Sequence, residues 1–490
     1  MYTNRRNFFR IAGVAGASVL SGSLASFACK ADKKNRDLND PIEMDANEKH
    51  TQLFNMSGYA APRIDTVRVG FVGLGQRGPG AVERIANIAG VEIKALCDKL
   101  MDRVDKAQEI LASYGLPAAK SYGGNDEAWK ELCQSEDIDL VYICTPWKLH
   151  TPMAVFAMQN GKHAVSEVPA ATTLDEAWQL VETSEKTKKH CMMLENCCYD
   201  FFELLTLNMA RQGFFGELLH AEGAYIHDLR TLMFDKNGYT DMWRLKENHS
   251  RNGNIYPTHG LGPVCQAMNI NRGDRMDYLT SISTIDFQMA ALAGDLAKKD
   301  PFYNEFTSPT YRGNMNTTVV RTEKGKTIMI QHDTTSPRPY SRIHLISGTK
   351  GVACKWPEPE RIALSHEWFN ENQMNEIRDK YTPEIVKRVG EMAQKIGGHG
   401  GMDFMMDWRL IDCLRNGLPL DQDVYDAALW SCIAPLSEWS VAHRSNSITV
   451  PDFTSGSYKT NVPVDISLAK GGNTSVRARV NNAEKQLNLQ

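Results

Sequence analysis

Two stretches of this 490-residue chain have residue types and spacing that could do chemistry. The first is Gly73-Leu74-Gly75-Gln76-Arg77-Gly78. It follows the apolar run Val67-Arg68-Val69-Gly70-Phe71-Val72 and opens helix-like text at Ala81-Val82-Glu83-Arg84-Ile85-Ala86. Glycines between a strand and a helix let backbone N–H groups approach a pyrophosphate at the helix N-terminus. A second apolar run, Val91 to Cys97, ends in Asp98. That acid lies about 20 residues past the turn, where a carboxylate can meet ribose hydroxyls. The pattern predicts a dinucleotide site on Gly73, Gly75, Gly78 and Asp98. An acid there repels a 2′-phosphate, so NAD is expected rather than NADP. The second stretch is Tyr256-Pro257-Thr258-His259. Tyr256 and His259 stand three apart among glycines and prolines, so both can face one cleft. Histidine has a pKa near that required of a general base.

The elements that must position these groups follow an alternating rhythm. From Val67 to about Asn196, strands alternate with helices. Ile138 to Cys144 reads as a buried parallel strand closed by Thr145-Pro146. Lys162 to Ser166 is the next, closed by Glu167-Val168-Pro169. A helix over about 173–188 precedes a short strand, His190 to Leu194. This is the text of a doubly wound Rossmann sheet. After Gly216 the rhythm changes. Strand-like runs appear at Leu219–His227, Tyr278–Phe287, Thr317–Arg321, Thr327–His332, Arg342–Ser347 and Val352–Trp356. Turns such as Glu323-Lys324-Gly325-Lys326 join several of them, which suggests an open, mostly antiparallel sheet. Helical text returns at Met402–Leu414 and Val424–His443. The expected fold class is α/β followed by α+β. The expected boundaries are 63–196 for the nucleotide domain and 197–467 for a substrate domain whose C-terminal helices pack back. A polar tail follows at 468–490.

Composition excludes some functions. Net charge is −4, which gives no electrostatic footprint for nucleic acid. The 11 cysteines are scattered with no CxxC pairs, and most read as buried free thiols rather than a metal site. His399 and Asp403 stand four apart and share a helix face. With no third ligand in view, a cap or cleft-lining role is expected and no metal.

The N-terminus reads as an export signal over 1–28. Asn4-Arg5-Arg6-Asn7-Phe8-Phe9-Arg10 is a twin-arginine pattern, and an apolar run from Ile11 to Leu20 follows it. Cleavage after Ala28 is one outcome, and lipid attachment at Cys29 is the other. The expected location is the periplasm or the cell envelope. Residues 29–62 are polar and read as a tether or surface arm. The sequence leaves a homo-oligomer open.

Several motifs carry a resemblance. Cys144-Thr145-Pro146-Trp147-Lys148-Leu149-His150 and Glu167-Val168-Pro169 are similar to signatures of the glucose–fructose oxidoreductase and inositol dehydrogenase superfamily. Two positions depart from it. Val168 stands where similar dehydrogenases carry a lysine that relays protons. Ile255 stands four before His259, where they often carry an Asp. Both departures fit one branch. Trp147 to His150, Glu167 to Pro169, Tyr256 to Pro263 and Gly397-Gly398-His399-Gly400-Gly401-Met402-Asp403 together resemble the NAD-dependent α-N-acetylgalactosaminidases of glycoside hydrolase family 109. The resemblance covers roughly residues 60 to 460.

The resemblance implies a redox-neutral glycosidase acting on a glycan or glycoconjugate. Hydride leaves C3 of the sugar for NAD⁺, the resulting ketone acidifies C2, a base takes the C2 proton and the aglycone leaves C1. Water then adds and the hydride returns. No carboxylate pair is needed. It also implies nucleotide contacts at Gln76, Arg77, Asp98, Trp147, Lys148, Leu149, His150, Glu167, Val168 and Asn196. Substrate-side candidates are Tyr225, Arg244, Tyr256, Pro257, Thr258, His259 and Tyr340. His259 is the expected proton relay, and Tyr199 and Tyr256 are both candidates for the C2 base. Two other readings stay open on the residues. One is a periplasmic NAD(P)-dependent sugar oxidoreductase, and the other is a sugar-binding protein without chemistry.

Overall fold

The computed structural model describes residues 40–463, 465–478 and 485–487. The expected export signal, residues 1–28, and the site at Cys29 lie outside the described residues. No helix among the described residues is long and apolar enough to cross a membrane.

The first sheet is parallel and six-stranded among the described residues, ordered β3-β2-β1-β4-β5-β6. Its strands are β1 (Val67–Val72), β2 (Val91–Asp98), β3 (Lys120–Gly123), β4 (Leu140–Ile143), β5 (His163–Ser166) and β6 (Cys191–Met193). Every residue of β4 and β5 is buried, as expected of parallel strands covered on both faces. Strand order reverses between β1 and β4, and ligands bind beyond the carboxyl ends of strands at such a switch point. The glycine turn follows β1 and the Thr145-Pro146 loop follows β4, so both meet there.

The second sheet has eight described strands, ordered β13-β12-β11-β7-β10-β9-β8-β14. They are β7 (Leu218–Ile226), β8 (Met276–Ser283), β9 (Asn316–Thr322), β10 (Thr327–Asp333), β11 (Leu345–Gly348), β12 (Val352–Cys354), β13 (Arg361–Ala363) and β14 (Ile448–Thr449). Only the β7–β10 pair is parallel within this sheet. Side chains of β9 and β10 alternate between buried and open, so one face is packed and the other is not.

The helices Thr258–Ala267 and Val424–Ala442 cover the packed face. Two glycines set how closely the first helix lies. A Cβ on Gly223 of β7 would stand 2.3 Å from the Gly260 carbonyl oxygen, and one on Gly260 would stand 2.2 Å from the Ala224 nitrogen. Backbone therefore packs on backbone. This contact delivers His259, in the first turn of the helix, to the end of β7.

Some elements differ from expectation. The run expected to reach Phe287 stops at Ser283, and Ile285 and Phe287 are exposed beyond it. The run expected from Arg342 becomes strand only at Leu345, because Ile343 and His344 have φ of +61° and +47°, a left-handed backbone that breaks a ladder. Helices Glu371–Tyr381 and Glu384–Ile396 were not expected. The first is started by a capping box from Asn370 and Gln373.

The arm and the stretch around Ser475 each touch both domains. In the arm, the His50 ring lies 3.0 Å from Glu185, and the Leu53 N–H donates to the same carboxylate. Gln52 and the Met56 N–H donate to the Tyr425 hydroxyl. In the later stretch, the Ala89 N–H donates to the Ser475 carbonyl and Trp408 donates to that of Thr474.

The glycine contact yields a prediction. Gly260→Ala should lower the thermal unfolding midpoint, since overpacking costs about 1–3 kcal/mol and here the obstacle is backbone. Gly294→Ala, in open space on another helix, is the control. Equal midpoints for the two variants would show that the close approach is not required.

Candidate active site

A cleft of about 960 Å³ opens at the switch point and is lined from both domains. On the nucleotide side, Gly73 has φ +90°, and a Cβ there would meet the Cys144 carbonyl at 2.8 Å. A Cβ on Gly78 would stand 2.2 Å from the Gly73 oxygen. Gly78 therefore serves the packing of turn against helix. The helix Gly78–Ala86 has no side-chain cap at its start, so its first free N–H groups are available to an anion.

Asp98 ends β2 and lines the cleft. Its Oδ2 accepts the Leu74 N–H at 2.8 Å and its Oδ1 accepts the Leu100 N–H at 2.9 Å. Arg103 approaches at 3.6 Å. The carboxylate thus shapes the glycine turn as well as facing the ligand space. Glycine cradle, uncapped helix and acid fit a dinucleotide.

The loops after β4 and β5 supply the next wall. Gln76, Lys148, Leu149 and Val168 line the cleft where expected. Arg77 also lines it, but its guanidinium is occupied. Nε donates to Glu167 at 3.1 Å and Nη2 to Asp403 at 3.3 Å. Arg77 and Glu167 therefore neutralise each other in the wall rather than standing free for a phosphate. His150 is fully buried, and its two ring nitrogens each lie 2.7 Å from a main-chain carbonyl, those of Pro169 and Thr145. Its side chain ties the two loops together, so it positions the wall and its imidazole is not a free ligand group. Asn196 faces the cleft while its amide donates to Asp403.

The substrate side centres on Arg244. Its guanidinium carbon lies 4.7 Å from the Tyr256 ring centre, 5.4 Å from Trp147, 5.5 Å from Tyr239 and 5.9 Å from Tyr225. Desolvated cation–π contacts are worth about 2 kcal/mol or more in such a box. Burial would lower its pKa, but the surrounding tyrosines hold it above the ordinary arginine value. Nη1 donates to the Tyr239 hydroxyl at 3.3 Å, while Nε and Nη2 are buried with no partner among the described residues. Buried donors without partners call for an acceptor. Trp147 stacks on Tyr256 with ring centres 5.4 Å apart, and Trp243 meets Trp147 edge-on.

His259 lies beside this box. Its Nδ1 is 2.7 Å from Glu195 Oε1, and its Nε2 is 3.3 Å from the Tyr256 hydroxyl. Burial would raise Glu195, but the facing His259 brings it below the ordinary carboxylate range. Cys197 places a third ligand-type atom within 4.8 Å of these two. Burial pushes its thiol well up, and Glu195 and His259 are hydrogen-bonded to each other. The Tyr225 hydroxyl is 3.0 Å from His227 Nδ1. Burial, then Arg244, hold His227 below the ordinary imidazole value. His399 lines the opposite wall on its glycine-flanked turn, half-exposed, with Nδ1 2.9 Å from Asp403.

Several expected residues fall elsewhere. Tyr199 is a correction: its ring is buried, its hydroxyl donates to Asp421 at 3.3 Å, and it does not line the cleft. Facing Asp421 and outside the cleft lining, its hydroxyl is not placed to meet a C2 proton there. Thr258 is fully buried beneath the helix start and Pro257 merely precedes that helix, so neither side chain lines the cleft. Tyr340 stands behind the lining, edge-on to Tyr225 and His227, with its hydroxyl accepting from Arg342. Sequence reasoning missed Glu195, His227, Tyr239 and Trp243. Glu195, next to Asn196, and Trp243, next to Arg244, sat beside residues already singled out.

Comparison with known proteins agrees with this geometry. Residues 67–195 match the oxidoreductase family described as an NAD-binding Rossmann fold. Residues 199–460 match the C-terminal domain of glycosyl hydrolase 109. A Bacteroides fragilis protein named glycosyl hydrolase family 109 protein 1 is 48% identical over 452 residues, covering 89% of this chain and 95% of that one. A Porphyromonas gingivalis family 109 protein is 49% identical over 434 residues, covering 85% and 91%. Among solved structures, levoglucosan dehydrogenase in complex with NADH and levoglucosan aligns with a TM-score of 0.59 at 16% identity, covering 79% of this chain and 100% of that chain. Scyllo-inositol dehydrogenase from Lactobacillus casei with bound NAD(H) and scyllo-inositol aligns at 0.55 and 14%, covering 78% and 99%. These structures share the fold.

Asp98→Ala should therefore loosen NAD twice over, by removing the acid and by releasing the glycine turn. Hydrogen bonds to a charged group are worth about 1.5–3 kcal/mol, or roughly 10- to 100-fold in affinity. Nucleotide retained after gel filtration, read by absorbance of the denatured protein, should fall accordingly. Unchanged retention would remove Asp98 from the nucleotide site.

Proposed function

The chain belongs to glycosyl hydrolase family 109, and on that premise we propose that it removes terminal α-N-acetylgalactosamine from glycans by a redox-neutral route. One observation supports this route over direct hydrolysis. Direct glycosidases flank the scissile bond with two carboxyl groups about 5–9.5 Å apart. Of the carboxylates lining this cleft, Glu167 is bound to Arg77, Asp98 to the glycine turn and Asp241 to Lys99. Asp126 and Glu127 precede the helix Ala128–Gln134 of the nucleotide domain. The sugar side offers arginine, tyrosine and histidine instead.

When bound, the nucleotide supplies a reversible hydride acceptor for C3, and the C2 proton is acidic while C3 is at the ketone level. The glycine cradle and Asp98 would hold it, with Trp147 and Asn196 on the adjoining wall. Arg244, with two buried donors open, orients a sugar hydroxyl or the acetamido carbonyl. Tyr256 and His259 manage the C2 proton. The departing oxygen needs an acid. His399, which lines the opposite wall with Nδ1 held by Asp403, is the candidate donor.

The test uses protein purified with its own nucleotide. Incubated with an aryl α-N-acetylgalactosaminide and no added cofactor, it should release aryl alcohol over many turnovers, with deuterium entering C2 in D₂O. His259→Ala should lose about 10²–10⁴-fold in turnover and little in binding. Stoichiometric NADH from a free sugar would support a net oxidoreductase instead, and binding without turnover a sugar-binding protein. Absence of C2 deuterium together with near-normal turnover in the variant would overturn the route.

The Arg5-Arg6 leader supports export of the folded enzyme with its nucleotide already aboard, and a cofactor regenerated each turnover needs no outside supply. Fractionation of cells should place the activity in the periplasm, or in detergent-released membrane if Cys29 carries lipid. Activity confined to the cytosol would overturn the export proposal.

A further inference from the structure

Ile255 leaves His259 without the carboxylate that similar dehydrogenases place four residues before it. The fold supplies one from elsewhere. Glu195 leaves β6 and precedes the short turn Asn196–Tyr199. It is fully buried. Its Oε1 takes the Cys197 N–H at 3.1 Å and faces His259 Nδ1 at 2.7 Å, while its main-chain carbonyl accepts from Gln422 at 3.0 Å. The opposing helix makes room for it: a Cβ on Gly262 would stand 2.9 Å from Glu195 Cγ.

A carboxylate at Nδ1 fixes the tautomer, because it accepts and cannot donate when ionised. His259 then carries its proton on Nδ1 and presents Nε2 as an acceptor to the Tyr256 hydroxyl. We propose, resting on the redox-neutral reading above, that Glu195 is a positioning residue that holds His259 as the proton acceptor of Tyr256, and that Tyr256 takes the C2 proton. The step balances. The C2–H bond breaks and its electron pair stays on the sugar, spread onto the C3 carbonyl oxygen. The C2 proton passes to the Tyr256 oxygen as the hydroxyl proton of Tyr256 passes to His259 Nε2. The imidazolium so formed faces Glu195, and the sequence reverses when water has added.

The arrangement also answers an energetic difficulty. Burial raises the Tyr256 phenol well above its ordinary value even with Arg244 over its ring, so a free phenolate is costly there. Handing the proton on as the new one arrives avoids that charge. Buried Glu195 in turn needs the imidazole, since an unpaired buried carboxylate is strongly disfavoured.

The experiment compares wild-type protein, Glu195→Gln, Glu195→Asp and Tyr256→Phe, each as purified with its nucleotide. Glu195→Gln should keep nucleotide content and hold KM within about threefold while kcat falls about 10²–10⁴-fold, as for a residue that orients a histidine. Deuterium entry at C2 should fall with kcat, and Glu195→Asp should restore part of both. A residue holding only the fold would instead move KM, nucleotide content and kcat together. If Glu195→Gln does not fold, Tyr256→Phe decides: lost C2 exchange with retained nucleotide supports the relay, and near-normal exchange overturns it. Wild-type turnover with an unaffected Glu195→Gln overturns only the role of Glu195. Wild-type protein that releases no aglycone overturns the underlying reading.

Discussion

A chain of alternating charges holds the walls of the cleft in place. Glu167 pairs with Arg77, Arg77 with Asp403, Asp403 with Arg84 at 3.6 Å, and Arg84 with Asp407 at 2.7 Å. Its members come from the loop after β5, the glycine turn, the helix behind that turn and the helix Met402–Asn416 of the other domain. Each charge is buried or half-buried, and a buried charge is tolerable only when matched. Burial would raise Asp403, but His399, Arg77 and Arg84 draw it far below the ordinary carboxylate range. Asp407, deeper and also hydrogen-bonded by Tyr142, is lifted by burial to about 6. Asp403 is therefore the hub. It also receives Asn196 and holds His399, so the nucleotide turn, the cofactor wall and the glycine-flanked turn take their positions from one carboxylate.

That constraint explains how a dehydrogenase-like scaffold tolerates the loss of two signature side chains. Val168 cannot carry a proton and Ile255 cannot orient a histidine. The cleft keeps its shape because His150, Arg77 and Asp403 set it through main chain and ion pairs, not through those two positions. Glu195 and Asn196 follow β6 beside Asp403, and Tyr256 and His259 stand at the start of the helix that the Gly223–Gly260 contact seats.

What was legible in the sequence was local. The glycine turn and Asp98 could be read because strand, turn and acid lie within one βαβ unit and obey a spacing set by that unit. The second sheet was legible as alternation, though not its parallel β7–β10 pair, since register between distant strands leaves no local mark. Resemblance carried Tyr225 and Arg244 to the cleft. Tyr199 shows how adjacency misleads: it is three residues from the cleft-lining Asn196, yet the intervening helical turn aims it at Asp421. Glu195 was missed for the opposite reason, because its partner His259 is 64 residues away in the chain. His227, Tyr239 and Trp243 lacked any repeat or motif and acquire meaning only when β7 and the helix Trp243–Ser250 meet Trp147.

The stretch around Ser475 bears on how the molecule is made. Ser475 bonds Ala89, Arg477 bonds Asn87, and Val476 bridges to Ile88, all three in the first βαβ unit. The helix Met402–Asn416 packs on that unit as well. A ribosome releases the chain in order, so the first domain emerges long before the residues that cover it. Its early form exposes apolar surface around Ile85 and Ile88, fully buried once the chain is complete. The amino-terminal half therefore reaches its full burial only when the stretch around Ser475 and the helix Met402–Asn416 have joined it.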